Sequence, residues 1–260
     1  MSDRAALSLR RVAVVGWLAV ALILAAGSLP AVAAAKGIAA GAGRTIGHAE
    51  LPVSSSLSAS PTDHLVADAA RSRLSVFQSP ASPASFKTLT NPTHEGVQLV
   101  LGVLKEEGSW FQVRLPVRPN GSTGWVRASD VRIRKVPNRI VVDKSEHELR
   151  VFKGDQLLME MPAGIGTAAT PTPVGEYYVD ISIPFANTSG AYGAHMLSIA
   201  GFSEVHLNFG GGIGQLAIHG TNNRASVGVN SSNGCVRLYN ESILRLKDLA
   251  PSGTPVSIQA

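Results

Sequence analysis

The sequence predicts a mainly β protein with two β-rich segments and one or two short helices. Short runs of β-branched and aromatic residues, separated by Gly, Asn and Pro, occur from about residue 62 to 135. A second series of such runs occurs from residue 139 to 260. Runs of this kind, bounded by turn residues, are typical of strands. Helical spacing of apolar residues is clear only near residues 241–249, so helices are a minor part of the fold.

The N-terminal segment has the layout of an export signal. Arg4, Arg10 and Arg11 precede an apolar run from Val12 to Ala26, and small residues follow as far as residue 35. This three-part layout predicts a cleaved signal peptide over residues 1–35. The alternative is an uncleaved membrane anchor, because the apolar stretch is close to the length of a membrane helix. We therefore expect an exported protein of the periplasm or cell wall, which contacts the membrane only if this segment is retained.

Residues 36–61 are rich in Gly, Ala and Ser, a composition that predicts a flexible linker. The formal net charge is +5 and the sequence pI is about 9.6. No run of Lys and Arg is dense enough to indicate nucleic-acid binding, and a mild excess of basic residues suits an anionic envelope.

Residues 62–135 form the first predicted domain, a small β barrel. The predicted strands are Leu74–Phe77, Val97–Leu104, Trp110–Leu115 and Gly124–Val126. Glu107-Gly108 and Asn120-Gly121 have the composition of tight turns between strands. Trp110 and Trp125 are candidates either for core packing or for ligand binding, and the residues alone leave both open.

Residues 139–260 form the second predicted domain, which is also mostly β. The predicted strands are Ile140–Val142, Glu148–Phe152, Gln156–Met161, Gly175–Ile181 and Gln215–Ile218. The clearest helix is Glu241–Leu249, with Asn240 as its N-cap and Pro251 beyond its end.

Cys235 is the only cysteine of the chain. An exported protein that used cysteine for structure would keep an even number for pairing, so a single thiol indicates either an incidental residue or a reactive one. The sequence around it, Ser231-Ser-Asn-Gly-Cys235-Val-Arg237, is small and polar rather than apolar. His219 lies sixteen residues upstream, before a Gly-Thr-Asn-Asn turn. This arrangement favours a Cys-His nucleophile over a buried structural cysteine.

Two physical effects would activate such a thiol. An imidazolium neighbour that lowered the cysteine pKa from about 8.5 to about 6 would increase the thiolate fraction roughly thirty-fold at neutral pH. Each backbone donor of an oxyanion hole contributes about 10²–10³ in rate. The N–H groups around Asn233, Gly234 and Cys235 should therefore matter at least as much as the effect of His219 on the thiol.

The motif from His219-Gly-Thr-Asn to Ser-x-Gly-Cys235-Val-Arg237-Leu resembles the catalytic signature of the bacterial L,D-transpeptidases, which cross-link peptidoglycan. The resemblance runs from about residue 139 to the last residue and includes Gly164-Ile-Gly166 and Thr170-Pro-Thr-Pro-Val-Gly175. Many members have histidine two residues before the cysteine, where this chain has Asn233. The upstream runs Gly108–Val113 and Thr123–Val126 are similar to bacterial SH3-like domains.

The resemblance implies a fold, an activity and a set of site residues. The fold is a β-sandwich-like catalytic domain behind a small SH3-like barrel. The implied reaction is acyl transfer, in which Cys235 forms a thioester with a tetrapeptide stem, D-alanine leaves, and a stem amine resolves the thioester into a 3→3 cross-link. His219 is the implied base, oriented by a carbonyl near Gly220, and Asn233 and Gly234 contribute to the oxyanion hole. The implied substrate contacts are Arg237, Asn222, Ser232 and Tyr192.

Several alternatives remain open at this point. Water as acceptor would give a carboxypeptidase, a protein amine would give an anchoring enzyme, and a silent catalytic domain would leave a wall-binding protein. Papain-like wall enzymes place the cysteine before the histidine in sequence, whereas His219 comes first here. Sortases place the histidine first, but with a much larger gap before the cysteine and a different motif. Residues 183–193 have the length and composition of a lid, or of an ordinary connection.

No cofactor is expected. A zinc site built from His195, His206, His219 and Cys235 is disfavoured, because no metal-ligand spacing is present. The expected partners are peptidoglycan stem peptides, with wall glycan or peptide at the SH3-like domain.

Overall fold

The structure is a computed structural model that describes residues 63–209 and 211–260. The predicted signal segment (1–35) and linker (36–61) lie outside the described residues. Within the described part of the chain, no helix is long and apolar enough to cross a membrane.

Residues 63–136 form a small antiparallel β unit. Its strands are β1 (His64–Ala69), β2 (Arg73–Val76), β3 (Lys87–Thr90), β4 (Val100–Glu107), β5 (Trp110–Arg114), β6 (Thr123–Arg127) and β7 (Val131–Val136). Five of them form one sheet in the order β6-β5-β4-β1-β7, and β2 and β3 pair as a separate hairpin. A bridge between Phe77 and Trp125 joins the hairpin to β6. The description of this unit as SH3-like remains a prediction.

The two tryptophans of this unit pack inside it or against its edge. Trp125 is 8% exposed. The ring of Trp110 meets Phe77 edge to face at 5.0 Å, and the Arg127 guanidinium lies 5.4 Å from the Trp110 ring centre. These contacts account for both side chains by packing.

Residues 138–259 form an eight-stranded mixed sheet. Its strands are β8 (Asn138–Asp143), β9 (Glu148–Lys153), β10 (Gln156–Pro162), β12 (Gly175–Pro184), β13 (His195–Phe202), β14 (Gln215–His219), β16 (Val236–Arg237) and β17 (Pro255–Gln259). The order is β10-β9-β8-β17-β12-β13-β14-β16. Two pairs are parallel, β8 with β17 and β14 with β16. Two short strands, β11 (Ile165–Gly166) and β15 (Asn230–Ser232), pair beside it. The predicted mainly β fold is confirmed.

The α-helix α1 (Asn240–Leu249) packs on this sheet through Ile243 and Leu246, both fully buried. The predicted helix is therefore present, but the predicted N-cap is wrong. Tyr239 occupies the cap position without a side-chain hydrogen bond. The Asn240 side chain points elsewhere: its Oδ1 accepts the Ala194 N–H at 2.9 Å, a contact with a segment far away in sequence.

The β unit of residues 63–136 packs on the face of the large sheet that is opposite its apolar core. Tyr178 of β12 is 1% exposed, and a Cβ atom at Gly102 of β4 would lie 3.1 Å from its ring. Gly102 therefore leaves the space that the tyrosine ring fills. Val66, Val100 and Val136 form a small buried cluster in this unit.

Two side chains of the β5–β6 turn, Asn120 and Arg118, hydrogen-bond to the end of β13 and to its connection with β14. The Asn120 amide makes two hydrogen bonds to the Phe202 backbone, donating to O at 2.8 Å and accepting from N at 2.9 Å. Arg118 donates to the carbonyls of Ile213 (2.7 Å), Ser203 (3.0 Å) and His206 (3.2 Å). Strand β14, which carries His219, is therefore anchored at its beginning by the N-terminal β unit.

We predict that Asn120→Ala destabilises the large sheet as well as the β unit. Phe202 is buried, so the substitution leaves its N–H and C=O without partners, at a cost of about 1–3 kcal/mol. Urea unfolding of the full chain measures the free energy of unfolding, and the exposed Asn208→Ala is the matched control. Equal stability of the two variants would contradict a supporting role for Asn120.

Candidate active site

The site depends on the parallel pairing of β14 with β16. The register joins Ile218 with Val236 and His219 with Arg237. Ile218 and Val236 belong to the apolar core of the large sheet. Because side chains alternate along a strand, His219 and Arg237 project from the opposite face, and Cys235 directly precedes β16. The pairing therefore brings the sequence-predicted base next to the strand that directly follows the sequence-predicted nucleophile.

The His219 ring is buried and held in one orientation. Its side chain is 4% exposed, and Nδ1 lies 2.5 Å from the Gly220 carbonyl oxygen. A carbonyl only accepts, so Nδ1 carries the proton and Nε2 is left as the acceptor. The resemblance implies a carbonyl near Gly220 in this position, and its orienting role stays a prediction.

Burial keeps both candidate catalytic groups neutral. Burial lowers the pKa of His219 to about 4, against the Gly220 hydrogen bond, which raises it, and the nearby Arg237 charge lowers it further. Burial also raises the pKa of the Cys235 thiol, although contact with the Ala217 backbone and the Arg237 charge lower it. Both shifts favour a resting thiol and a neutral imidazole over the imidazolium neighbour considered from the sequence.

Hydroxyl groups of two buried residues and one partly buried residue hold the Cys235 loop. Ser232 Oγ donates to the Cys235 carbonyl at 2.6 Å and accepts the Gly234 N–H at 3.1 Å. Thr172 Oγ1 donates to the Gly234 carbonyl at 2.9 Å, and Thr170 Oγ1 donates to the Ser232 carbonyl at 3.0 Å. Gly234 itself has φ +115°, a conformation that other residues rarely adopt. The loop backbone is thus fixed from several sides.

This network changes the set of backbone donors that face the thiol. The Gly234 N–H, which we expected in the oxyanion hole, donates to Ser232 Oγ instead. Ser232 is 2% exposed and serves the loop, although the sequence analysis made it a candidate substrate contact. In the described part of the chain, the N–H groups of Asn233 and Cys235 have no hydrogen-bond partner. Two backbone donors therefore remain available beside the sulfur.

Arg237 makes one hydrogen bond to the loop, and one of its buried nitrogen donors has no partner among the described residues. Its guanidinium donates to the Ser231 carbonyl at 3.2 Å. Its Nε is buried and has no partner among the described residues. The bond to Ser231 makes Arg237 a clamp on the loop, and the geometry is also compatible with the substrate contact that the resemblance implies.

Tyr192 covers the candidate base from the connection between β12 and β13. Its ring meets the His219 ring edge to face at 4.9 Å and stacks on Phe185 at 5.9 Å. Burial and the neighbouring Cys235 raise the pKa of Tyr192. The residue is 38% exposed, so one side of the ring faces the histidine and another faces solvent.

Two asparagine side chains hydrogen-bond to the connection between β12 and β13. Asn240 Nδ2 donates to the Thr188 carbonyl at 3.3 Å, and Asn222 Nδ2 donates to the Ser189 carbonyl at 2.8 Å. Asn222, a candidate substrate contact from the sequence, is therefore used to hold residues 185–194. A substituent at Gly193 would collide with the Asn240 side chain, which is why a glycine is needed there.

Sequence reasoning missed Thr172 and Asn240 as parts of this site. Thr172 lies in the Thr-Pro-Thr-Pro segment, but nothing in that segment indicates a bond to Gly234, 62 residues away. Asn240 looks like a helix cap in the sequence, since Asn is common at that position. In the described residues, no group of three or more His, Cys, Asp or Glu side chains is placed to hold a metal ion.

Comparison with known proteins identifies the family. Residues 137–258 match the family model of the YkuD L,D-transpeptidase catalytic domain. The chain is 37% identical over 123 residues to the putative L,D-transpeptidase YkuD of Bacillus licheniformis, a match that covers 47% of this chain and 66% of the relative. It is 30% identical over 122 residues to the putative L,D-transpeptidase YqjB of Bacillus subtilis, covering 46% of this chain and 69% of that protein. The chain belongs to the L,D-transpeptidase family, as its motif predicts.

The matches concern the large sheet and leave part of the relatives unmatched. The chain spans 66% of the length of the first relatives, slightly under two thirds. An L,D-transpeptidase structure from Mycobacterium smegmatis is 18% identical, covers 62% of this chain and 99% of that chain, and has a TM-score of 0.39, too low to support a further conclusion. The activity, substrates and partners of this chain are therefore proposals.

We predict that alkylation of Cys235 accelerates with pH only in the alkaline range. The thiolate is the reactive form, burial raises the thiol pKa, and the neutral His219 offers no positive charge. The rate with iodoacetamide would be followed by mass spectrometry from pH 5 to pH 10, roughly the range over which cysteines titrate. Because the chain has one cysteine, labelling reports on Cys235 alone. A plateau that begins near neutral pH would indicate a thiolate-imidazolium pair instead.

Proposed function

We propose that the protein is a peptidoglycan L,D-transpeptidase with Cys235 as nucleophile. The observation that carries the proposal is the β14–β16 register, which pairs His219 with Arg237, two residues after Cys235, while His219 Nδ1 is bonded to Gly220. This arrangement leaves Nε2 to take the thiol proton. Membership of the family supplies the class of reaction.

The first step is acylation. Cys235 Sγ attacks the carbonyl carbon of the third residue of a tetrapeptide stem, and the thiol proton passes to His219 Nε2 during the attack. The tetrahedral intermediate collapses, the peptide bond to the terminal D-alanine breaks, and the proton from His219 goes to the leaving amine. Since the pKa of His219 is about 4, the ring is neutral and ready to accept a proton at neutral pH.

Backbone donors stabilise the negative charge that forms on the carbonyl oxygen. The N–H groups of Asn233 and Cys235 are available for this, as they have no partner in the described residues. Each such donor is worth about 10²–10³ in rate. Ser232 and Thr172, which bond to the loop, are buried, so they hold the N–H groups of Asn233 and Cys235 in place before substrate arrives. The loop backbone then needs little reorganisation during the reaction.

The second step is transfer of the acyl group to an amine. The side-chain amine of a second stem attacks the thioester carbonyl and loses a proton to His219 Nε2. The C–S bond then breaks, the proton passes from His219 to Cys235 Sγ, and a 3→3 cross-link forms. Arg237 Nε, a buried donor without a partner among the described residues, is available to bind a stem carboxylate near the sulfur. Tyr192 lies over His219 and limits access of water to the thioester.

We also propose export through the N-terminal segment, and contact of residues 62–135 with wall glycan or peptide. The basic composition, with a net charge of +5, suits an anionic envelope. Carboxypeptidase and protein-anchoring activities use the same thioester and differ only in the acceptor.

The product of a disaccharide-tetrapeptide substrate tests the proposal. We predict release of D-alanine and a dimer with a 3→3 bond, both detected by mass spectrometry, and neither with Cys235→Ala. The chain without residues 1–35, the predicted signal, is the form to use. A monomeric tripeptide would indicate water as acceptor. If neither D-alanine nor a dimer is formed while Cys235 reacts readily with iodoacetamide, the transpeptidase assignment is refuted.

Substitutions at Asn233 test the backbone donors. The Asn233 side chain is exposed, so Asn233→Ala retains the N–H and should be mild. Asn233→Pro removes the N–H and should raise the acylation barrier by about 2.7–4 kcal/mol. His219→Ala should be severe, because it removes the only base proposed for the step. Acylation rates of the folded variants with one soluble tetrapeptide provide the comparison, and an Asn233→Ala loss as large as that of His219→Ala would contradict the backbone account.

A further inference from the structure

The connection between β13 and β14 exposes a group of large apolar side chains. The structure describes residues 203–209 and 211–214 of this connection. The exposed fractions are 52% for Val205, 63% for Leu207, 45% for Phe209 and 50% for Ile213. We call these four side chains the apolar tip. An exposed apolar patch of this kind on a folded domain indicates contact with another surface.

The apolar tip has a defined backbone. The Phe209 N–H donates to the Gly212 carbonyl at 3.0 Å, and the Gly212 N–H donates to the Phe209 carbonyl at 2.9 Å. A further bridge joins Phe209 to Ile213. Arg118 holds the base of the segment through three of its carbonyl groups. The apolar side chains therefore sit on an ordered turn, which loses little conformational entropy when it meets another surface.

The size of the apolar tip favours a lipid surface over a protein. Its half-exposed side chains amount to a few hundred Å² of apolar surface, which is roughly half of the 800 Å² per partner that a stable protein interface buries. Insertion into a bilayer needs no matching partner surface. The boundary between headgroups and acyl chains accepts apolar side chains over a depth of about 5–10 Å.

The chain that precedes the described residues supplies a second argument. Its apolar run, Val12–Ala26, would bring the protein to a membrane during export. The linker predicted over residues 36–61 would allow a separation of about 25–30 Å between that run and the folded residues. A tip held at this distance from a bilayer meets it at a high effective concentration.

Contact through the apolar tip would also orient the proposed active site. Strand β14 begins beside the tip at Gln215 and carries His219 at its other end. A strand rises about 3.3 Å per residue, so His219 lies roughly 13 Å from the base of the tip. A bilayer against the tip therefore leaves the Cys-His site on the far side of β14, toward the wall.

We propose that the apolar tip docks on the outer face of the membrane across which the chain is exported. The proposal rests on the export proposed above and not on the reaction at Cys235. The four side chains enter the boundary between headgroups and acyl chains. Arg118 and Glu204, which border one cleft beside the tip, stay in the headgroup layer. Their opposite charges offset each other, so apolar contact rather than lipid charge drives the docking.

Binding of the chain without residues 1–35 to lipid vesicles tests the proposal. The described residues belong to one compact unit that excludes the removed segment. We expect co-sedimentation with phosphatidylcholine vesicles, and similar binding to vesicles of equal amounts of phosphatidylethanolamine and phosphatidylglycerol. Leu207→Ser combined with Phe209→Ser should weaken both about tenfold or more, because the transfer of two large apolar side chains is lost. The matched control is Leu104→Ser combined with Leu157→Ser, two leucines of similar exposure outside the tip, which should bind as the unsubstituted chain does.

A tryptophan in the apolar tip gives a local readout. In the chain without residues 1–35, Trp110 and Trp125 are the remaining tryptophans, and both lie in the β unit of residues 63–136. Phe209→Trp should add a fluorescence component that lipids with brominated acyl chains quench. If the double tip variant fails to fold, Ile213→Ser takes its place and should weaken binding several-fold.

Several results would overturn the proposal. They are absence of vesicle binding, binding to the anionic vesicles alone, unchanged binding by the tip variants, and a tip tryptophan that is not quenched. Dimers that form without lipid and are lost in the tip variants would indicate a second copy of the chain as the partner instead. Vesicle binding is measured on purified protein, so a chain that stays inside the cell would refute export and leave this measurement unaffected.

Discussion

The structure depends most on the parallel pairing of β14 with β16. Ile218 and Val236 face each other in the apolar core, and this burial fixes the register. A shift of β16 by one residue would turn Val236 outward and Arg237 toward the core, so the hydrophobic cost of a wrong register keeps Arg237 on the same face as His219. The chemistry on one face of the sheet is thus specified by the packing on the other.

The N-terminal β unit contributes to this arrangement, although it contains none of the proposed catalytic groups. Asn120 bonds to the backbone of Phe202 at the end of β13, and Arg118 holds both ends of the connection to β14. Strand β14 therefore begins at a point fixed by another part of the chain. A wall-binding role for residues 62–135, as expected from the SH3-like pattern, would be additional to this supporting role.

The sequence predicted the mainly β fold and the helix from local patterns, and it predicted the family from a motif. The Cys-His pair stays a prediction. The sequence analysis missed β13, since His195–Phe202 is buried on nearly all sides and lacks the alternation that marks a half-buried strand. It misplaced Asn240, because its partner Ala194 lies far away in sequence and local residue preferences carry no information about such a partner. The Gly234 N–H is different: its bond to Ser232, two residues earlier, is a local serine turn that the motif did not suggest.

Burial of the Cys-His pair has a cost and a consequence. The same desolvation raises the pKa of Cys235 and lowers the pKa of His219, so each group prefers its neutral form. A thiolate-imidazolium pair would need compensating charge, and the nearby Arg237 stabilises only the thiolate. The proton should therefore move while Sγ bonds to the carbonyl carbon, when negative charge is passing to the oxygen beside the N–H groups of Asn233 and Cys235. In the proposed reaction these fixed donors supply most of the rate enhancement, and a neutral thiol at rest is less open to oxidation than a thiolate.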